Sequence, residues 1–367
     1  MKHTPKHILF ITPSLARTGS ETLLFNYLCF IAPRYTITVI CYAKGDLIAE
    51  LPKSIKVYVL NLGEAKTIFQ KIKRKFKTHF ALPFLLSKFK KDTWYINTIV
   101  LPIPIKYAVK FKVDFILHVH ELKHMYGFLT KQQLNLVLNN PKLIIANSLT
   151  TKQHLLDSGA NKEISIVNPF IDFHFFKQFK LYPKKVLTTR FVWLMAGSID
   201  KNKNPELFIS IAKHAHFKKL PYQFIWLYNS VSDATLFQHI QLQLKELSNT
   251  VTFIKTKNYE DYLNEISKTN GLLLTSTYES FSILTLEALA MNLAMVVNNC
   301  GGVNEIVNEK TASIVEINSS LDTYIEAMKY ELERVSFFEN EKENAVLRFD
   351  KANIIKVWEE LMAINLH

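Results

Sequence analysis

The strongest constraint on this chain is an alternation that runs its whole length. Short apolar, β-branched runs lie at 7–12, 36–42, 55–60, 93–98, 113–119, 142–146 and 164–167, then at 191–196, 222–228, 250–254, 271–275, 294–298 and 312–315. Between them come segments with helical spacing, among them 20–31, 204–218, 233–247, 258–268 and 282–291. Runs of this kind suit strands buried on both faces by helices, and so parallel sheets. At 367 residues the chain is too long for one comfortable core, so two such domains are expected. The break falls at 168–190, where Asn168-Pro169 opens a Phe- and Lys-rich stretch that ends at Pro183-Lys-Lys185. The expected domains are 1–180 and 181–350, two doubly wound Rossmann-like units facing each other across a cleft, with ligands at the strand carboxyl ends. A last helix, 351–367, carries Ile354, Val357, Trp358, Leu361 and Met362 as one apolar stripe that must pack on something.

Charge divides the chain at the same place. Residues 1–180 hold 26 Lys and Arg against 10 Asp and Glu, whereas 181–367 hold 19 against 22. Within the basic half, residues 64–91 carry nine bases and a single acid, Glu64, interleaved with Phe69, Ile72, Phe76, Phe80, Phe84 and Phe89. Two readings stand side by side: a solvated helical face, or a surface that meets an anionic membrane. Basic and aromatic residues also serve nucleic-acid binders, but no nucleic-acid motif accompanies them, and no such partner is expected. The three cysteines, Cys29, Cys41 and Cys300, sit in apolar stretches and read as packed thiols of a reducing compartment. No signal peptide and no membrane span is expected, so the reading is a cytoplasmic protein that is either free or peripheral on the inner face of the plasma membrane.

The chemistry concentrates in 271–307. A buried strand ends at Ser276, the loop carries Glu279, Ser280 and Phe281, and a helix starts near Ser282 and contains Glu287. Free amides at Ser282, Ile283 and Leu284, with the positive end of the helix dipole, suit a diphosphate. Two acids beside an anion site make sense where they hold neutral hydroxyls. Gly301-Gly302-Val-Asn-Glu305-Ile-Val follows downstream. This segment resembles the paired-glutamate motif of the retaining family 4 glycosyltransferases (glycosyl transferases group 1), which have the GT-B fold. The resemblance implies that Glu279, a catalytic residue, contacts the donor sugar's hydroxyls and Glu287 the ribose, with Phe281 also among the donor-binding residues.

Further segments carry the same resemblance. Met195-Ala-Gly197-Ser198-Ile-Asp200-Lys201-Asn-Lys203 looks like the family's glycine–basic loop, with Lys203 as its lysine by spacing and Lys201 as the alternative. Ser198 stands where relatives have an arginine, and Ser280 and Ser282 stand where many have glycine, so the phosphate site has fewer cations than usual. Thr12 to Glu21 resembles the family's Gly-Gly-x-Glu loop, of whose glycine pair only Gly19 remains. Asn97, at the end of one strand, and His118 and Glu121, at the end of another, are acceptor-side candidates. His120 is favoured over His118 as the catalytic histidine that, as the resemblance implies, borders the reacting sugar. Asn168-Pro169-Phe170 resembles the Pro-Asn-Gly-like turn before the family's linker.

What the resemblance implies is hexosyl transfer with retention from a nucleotide sugar to a hydroxyl of a glycan or lipid-linked acceptor, in bacterial surface polysaccharide or lipopolysaccharide synthesis. It implies no cofactor and no metal, the leaving diphosphate being held by basic residues and helix amides. The alternatives are a GT-B sugar-nucleotide epimerase and a non-catalytic basic binding protein. Base, sugar, linkage and acceptor are not legible.

Overall fold

A computed structural model describes residues 6–62, 67–180, 190–247, 249–334 and 339–365. All thirteen expected strands form: β1 (His7–Thr12), β2 (Thr36–Cys41), β3 (Lys56–Val59), β4 (Thr93–Ile96), β5 (Phe115–Val119), β6 (Leu143–Ala146), β7 (Ile164–Ile166), β8 (Phe191–Ala196), β9 (Tyr222–Tyr228), β10 (Val251–Lys255), β11 (Gly271–Leu274), β12 (Ala294–Asn298) and β13 (Ser313–Val315). They make two sheets, ordered β3-β2-β1-β4-β5-β6-β7 and β10-β9-β8-β11-β12-β13. Every pairing is parallel. The central strands are buried on both faces, as Ile8 to Ile11 and Leu272 to Leu274 show, and this is why they read as unbroken apolar runs. Both sheets have the doubly wound, Rossmann-like strand order.

The chain divides into two compact units, one of residues up to Pro169 plus those from Ile354 onward, the other Phe170–Asn353. The second unit therefore begins eleven residues before the expected 181, with 181–189 outside the described residues. Local contacts explain the shift. Ile171 forms a β-bridge with Asp350, and Phe173 and Phe176, on the helix Phe173–Lys180, are buried in the second unit's core.

The last helix, Lys351–Asn365, enters the first unit's core through Trp358, which is fully buried. The Trp358 indole N–H donates to Tyr95 Oη at 3.1 Å, and its ring meets those of Tyr27 and Tyr95 with centroids 5.8 and 6.0 Å away. Arg34 and Glu359 close the helix's edge with an ion pair at 2.7 Å. Among the described residues no helix is long and apolar enough to cross a membrane.

Trp358→Ala removes a buried ring and leaves the Tyr95 hydroxyl short of a donor. It is expected to destabilise the first unit by about 3–5 kcal/mol, read as a lower urea midpoint. A loss below about 1 kcal/mol would mean that the helix is not anchored there.

Candidate active site

Strand order reverses once in each sheet, between β1 and β4 in the first unit and between β8 and β11 in the second. At such a point the loops leaving two neighbouring strands turn to opposite faces of the sheet and open a crevice. Several residues singled out from sequence fall on these loops, 13–19 after β1, 97–98 after β4, 197–204 after β8 and 275–282 after β11, whereas His118, His120 and Glu121 lie on or just after β5 and Glu287 lies in the helix Ile283–Ala290.

In the second unit the two loops are joined. Lys203 Nζ lies 2.6 Å from Glu279 Oε1. Burial works against the Lys203 ammonium, but the Glu279 charge and hydrogen bond outweigh it and Asp200 adds to them, so the Lys203 pKa lies above its ordinary value. The backbones are tied as well. The Thr277 N–H donates to Asn202 O at 2.8 Å, the Asn202 side-chain amide donates to Tyr278 O at 2.9 Å, and the Thr275 hydroxyl donates to Lys203 O at 3.0 Å. Asp200 shapes the first loop by accepting from Ser198 Oγ and, at 2.9 Å, from the Lys203 N–H. Asn204 sits in the left-handed region at φ 54° and caps the next helix through the Leu207 N–H, with Pro205 at its first position. A Cβ on Gly197 would lie 3.2 Å from three carbons of the Lys203 stem, so this glycine lets the lysine lie close across the backbone. Lys201 is exposed, and it is Lys203 that meets Glu279.

The glycine pair at 301–302 has a steric role. A Cβ on Gly302 would come within 2.1 Å of Ser280 O, and the Gly302 N–H donates to Glu279 O at 2.9 Å. The downstream turn therefore clamps the Glu279 loop from behind. Phe281 is buried against Phe349, with ring centroids 5.3 Å apart, so its side chain belongs to the core and its backbone is what remains for a ligand. Ser282 caps the helix Ile283–Ala290, its hydroxyl accepting the Thr285 N–H at 3.3 Å. Ile283 and Leu284 occupy the first turn, whose amides have no carbonyl within the helix. Free first-turn amides and the positive end of the helix dipole suit an anion.

Glu287 is buried and accepts hydrogen bonds from two phenols, Tyr259 at 3.0 Å and Tyr262. Burial pushes its carboxyl up to about 7, against the lowering effect of the Tyr262 and Tyr259 hydrogen bonds. Sequence spacing identified the acid and missed both tyrosines. Their only signal was a Tyr-x-x-Tyr pair, Tyr259 and Tyr262, three apart on the helix Tyr259–Ile266.

In the first unit His118 and His120 face the same way, with ring centroids 4.0 Å apart. His120 Nε2–H donates to Asn97 Oδ1 at 3.0 Å, and the Tyr95 hydroxyl donates to His118 Nδ1 at 2.6 Å. Burial holds both imidazoles neutral: His120 is pushed down to about 3, and His118, beside it, also lies well below the ordinary value. Glu121 is turned inward. It accepts from the Thr98 hydroxyl, from the Ile99 N–H at 3.3 Å and from the His120 N–H at 3.1 Å, and so acts as a clip between the two strand ends. Burial raises its pKa, and these bonds lower it by less.

Gly19 opens the helix Gly19–Ile31, and a Cβ there would meet nothing within 4 Å. Gly45, which sequence reading passed over, is the tight position. A Cβ on it would come within 2.1 Å of Leu15 backbone atoms, so Gly45 sets the path of the loop after β1.

Known proteins resemble the chain in sequence over part of its length and in fold over nearly all of it. Residues 178–345 match the family model described as glycosyl transferases group 1. An α-1,4-N-acetyl-D-galactosaminyltransferase of Campylobacter jejuni, named for a diNAcBac-PP-undecaprenol-linked N-acetylgalactosamine disaccharide, is 24% identical over 301 residues, 79% of this chain and 78% of that one. Anabaena HepE, solved with UDP and glucose, superposes with a TM-score of 0.78 at 18% identity over 98% of this chain and 99% of that one. The lipopolysaccharide outer core galactosyltransferase WaaB, solved in its apo form, gives 0.71 at 15% over 98% and 100%.

Glu287 supplies a test by pH. Its folded pKa is raised above the ordinary 4.5, so the native state holds an extra proton between about pH 4.5 and 7 and loses stability as pH rises through that window. Against Glu287→Gln, the wild type should therefore lose up to roughly 3 kcal/mol between pH 5 and pH 8 in urea titrations. An equal gap at both pH values would contradict the buried, proton-binding carboxyl.

Together these likenesses show the GT-B fold for the chain and a match of residues 178–345 to glycosyl transferases group 1.

Proposed function

We propose that the chain is a retaining glycosyltransferase that moves a hexose-type sugar from a nucleotide donor to a hydroxyl of a glycan or lipid-linked acceptor in bacterial surface polysaccharide or lipopolysaccharide synthesis. The observation that carries the reading is the Lys203–Glu279 pair beside the free amides of Ile283 and Leu284, at the point where strand order reverses in the second sheet. A cation, two backbone donors and a carboxylate in one loop system match the three parts of a sugar diphosphate. Lys203 and the amides take the diphosphate, and Glu279, released from the lysine, accepts from the sugar hydroxyls. Glu287 exchanges its phenol partners for ribose hydroxyls. The neighbours solved with UDP and a sugar, and the lipid-linked saccharide in the Campylobacter relative's name, support the donor and acceptor classes.

The chemistry needs no metal on this reading, because the charge that develops on the leaving diphosphate falls on Lys203 and on the helix amides. With Glu279 given to the sugar hydroxyls, attack comes from the leaving-group face, and a donor phosphate oxygen takes the acceptor proton. His120, neutral with its Nε2–H committed to Asn97, keeps Nδ1 as a hydrogen-bond acceptor without a positive charge, which suits a sugar hydroxyl.

Glu279→Ala should abolish most transfer while far-ultraviolet circular dichroism stays near wild type, with a lowered melting temperature because Lys203 is left without its carboxylate. Lys203→Met should weaken donor binding by about tenfold to a hundredfold, with about 1.5–3 kcal/mol expected for a charged hydrogen bond. Turnover by the Glu279 variant at the wild-type rate would end the assignment. Donor turnover without any acceptor would favour the epimerase.

A further inference from the structure

Residues 68–87 form one helical stretch: an α-helix (Ile68–Phe76), a π turn (Lys77–Ala81) and a second α-helix (Leu82–Ser87). Residues 64–66, where the expected basic stretch begins, lie outside the described residues. The stretch is apolar on two sides. Leu82 and Leu86 are fully buried in the first unit's core, whereas Ile72, Phe76, Phe80 and Phe84 are 60–67% exposed. A spacing of four drifts by about 40° per step on an α-helix, and the wider π turn takes back part of that drift. The four side chains therefore form one outward ridge. Phe76 and Phe80 stack with centroids 5.3 Å apart, and the Lys88 ammonium lies 4.9 Å from the Phe84 ring centre. A helix with a second, solvent-facing apolar stripe needs a partner to cover it.

Charge indicates which partner. From 67 to 91 the sequence has no acid and eight bases, so the ridge is flanked by one sign of charge only. Beside the ridge, a cavity of about 390 Å³ is lined by Lys71, Arg74, Lys75 and His79, with Thr78 and Tyr42 among its walls. The Tyr42 hydroxyl is shut away from solvent without a hydrogen-bond partner among the described residues. We propose that this face docks on an anionic phospholipid surface, with Ile72, Phe76, Phe80 and Phe84 in the acyl boundary and a lipid phosphate in the cavity under Lys71 and Arg74. A protein partner with matching acids would satisfy the cations but would not call for four adjacent apolar side chains. A lipid leaflet satisfies both. The docking requires no transfer activity, so it stands or falls apart from the proposed reaction.

Flotation of the full chain with vesicles tests it. Phosphatidylcholine vesicles with about 30 mol% phosphatidylglycerol, in about 0.15 M salt, should carry the protein up, and pure phosphatidylcholine should not. The exposed pair Phe76→Ser/Phe80→Ser and the cavity pair Lys71→Glu/Arg74→Glu should each lower partitioning by at least about tenfold, with melting temperatures unchanged. Reversal of Lys131 and Lys162, exposed elsewhere on the first unit, should change it little. The proposal is overturned if the wild type stays at the bottom of the gradient. It is equally overturned if the ridge variant floats like wild type, or if reversal of the distant pair lowers partitioning as much as reversal of the cavity pair.

Discussion

One ion pair organises the second unit's site. Lys203 and Glu279 come from loops 76 residues apart, and both are largely withdrawn from water. Burying two charges costs several kcal/mol unless their geometry and other bonds are good. In this unit they are good, because each loop is stapled to the other by backbone and side-chain bonds around Asn202, Thr275 and Thr277, while Gly302 presses the Glu279 loop from behind. The pair is also chemically provisional. A cation and a carboxylate that satisfy each other can be parted by a ligand that brings an anion for one and hydroxyls for the other. A sugar diphosphate brings both.

Glu287 follows the same logic. Its two phenols occupy the carboxylate as hydroxyl donors, the role that a ribose would take over. The first unit's cluster is built the other way. His118 and His120 are neutral, and Asn97, Tyr95 and Glu121 fix their rings and the strand ends that carry them. The second unit's candidate groups are a cation, a carboxylate and helix amides, whereas the first unit's are oriented neutral groups.

The fold was legible because parallel strands buried on both faces leave unbroken apolar runs, and all thirteen show in the sequence within a residue or two. The acids Glu279 and Glu287 were legible because they flank a helix start at fixed spacing. Contacts between distant segments were not. Nothing local in 197–204 indicates that Lys203 meets Glu279, and nothing local in 259–262 indicates that two tyrosines cover Glu287. Gly45 is required by a backbone that passes thirty residues earlier, near Leu15. Phe281 read as a ligand residue because its neighbours do, yet its ring completes the core against Phe349. The unit boundary moved for a similar reason, since the Ile171–Asp350 bridge joins segments that no local pattern connects.

Lys203 and Glu279, on the proposed reading, hold each other's places for the two ends of a sugar diphosphate. A crystal structure with a bound nucleotide sugar, chosen by a thermal-shift panel, tests this most directly. The expected result is Lys203 Nζ and the Ile283 and Leu284 amides about 3 Å from diphosphate oxygens, with Glu279 turned to the sugar hydroxyls. A donor bound elsewhere, with Lys203 and Glu279 still paired at 2.6 Å, would contradict it.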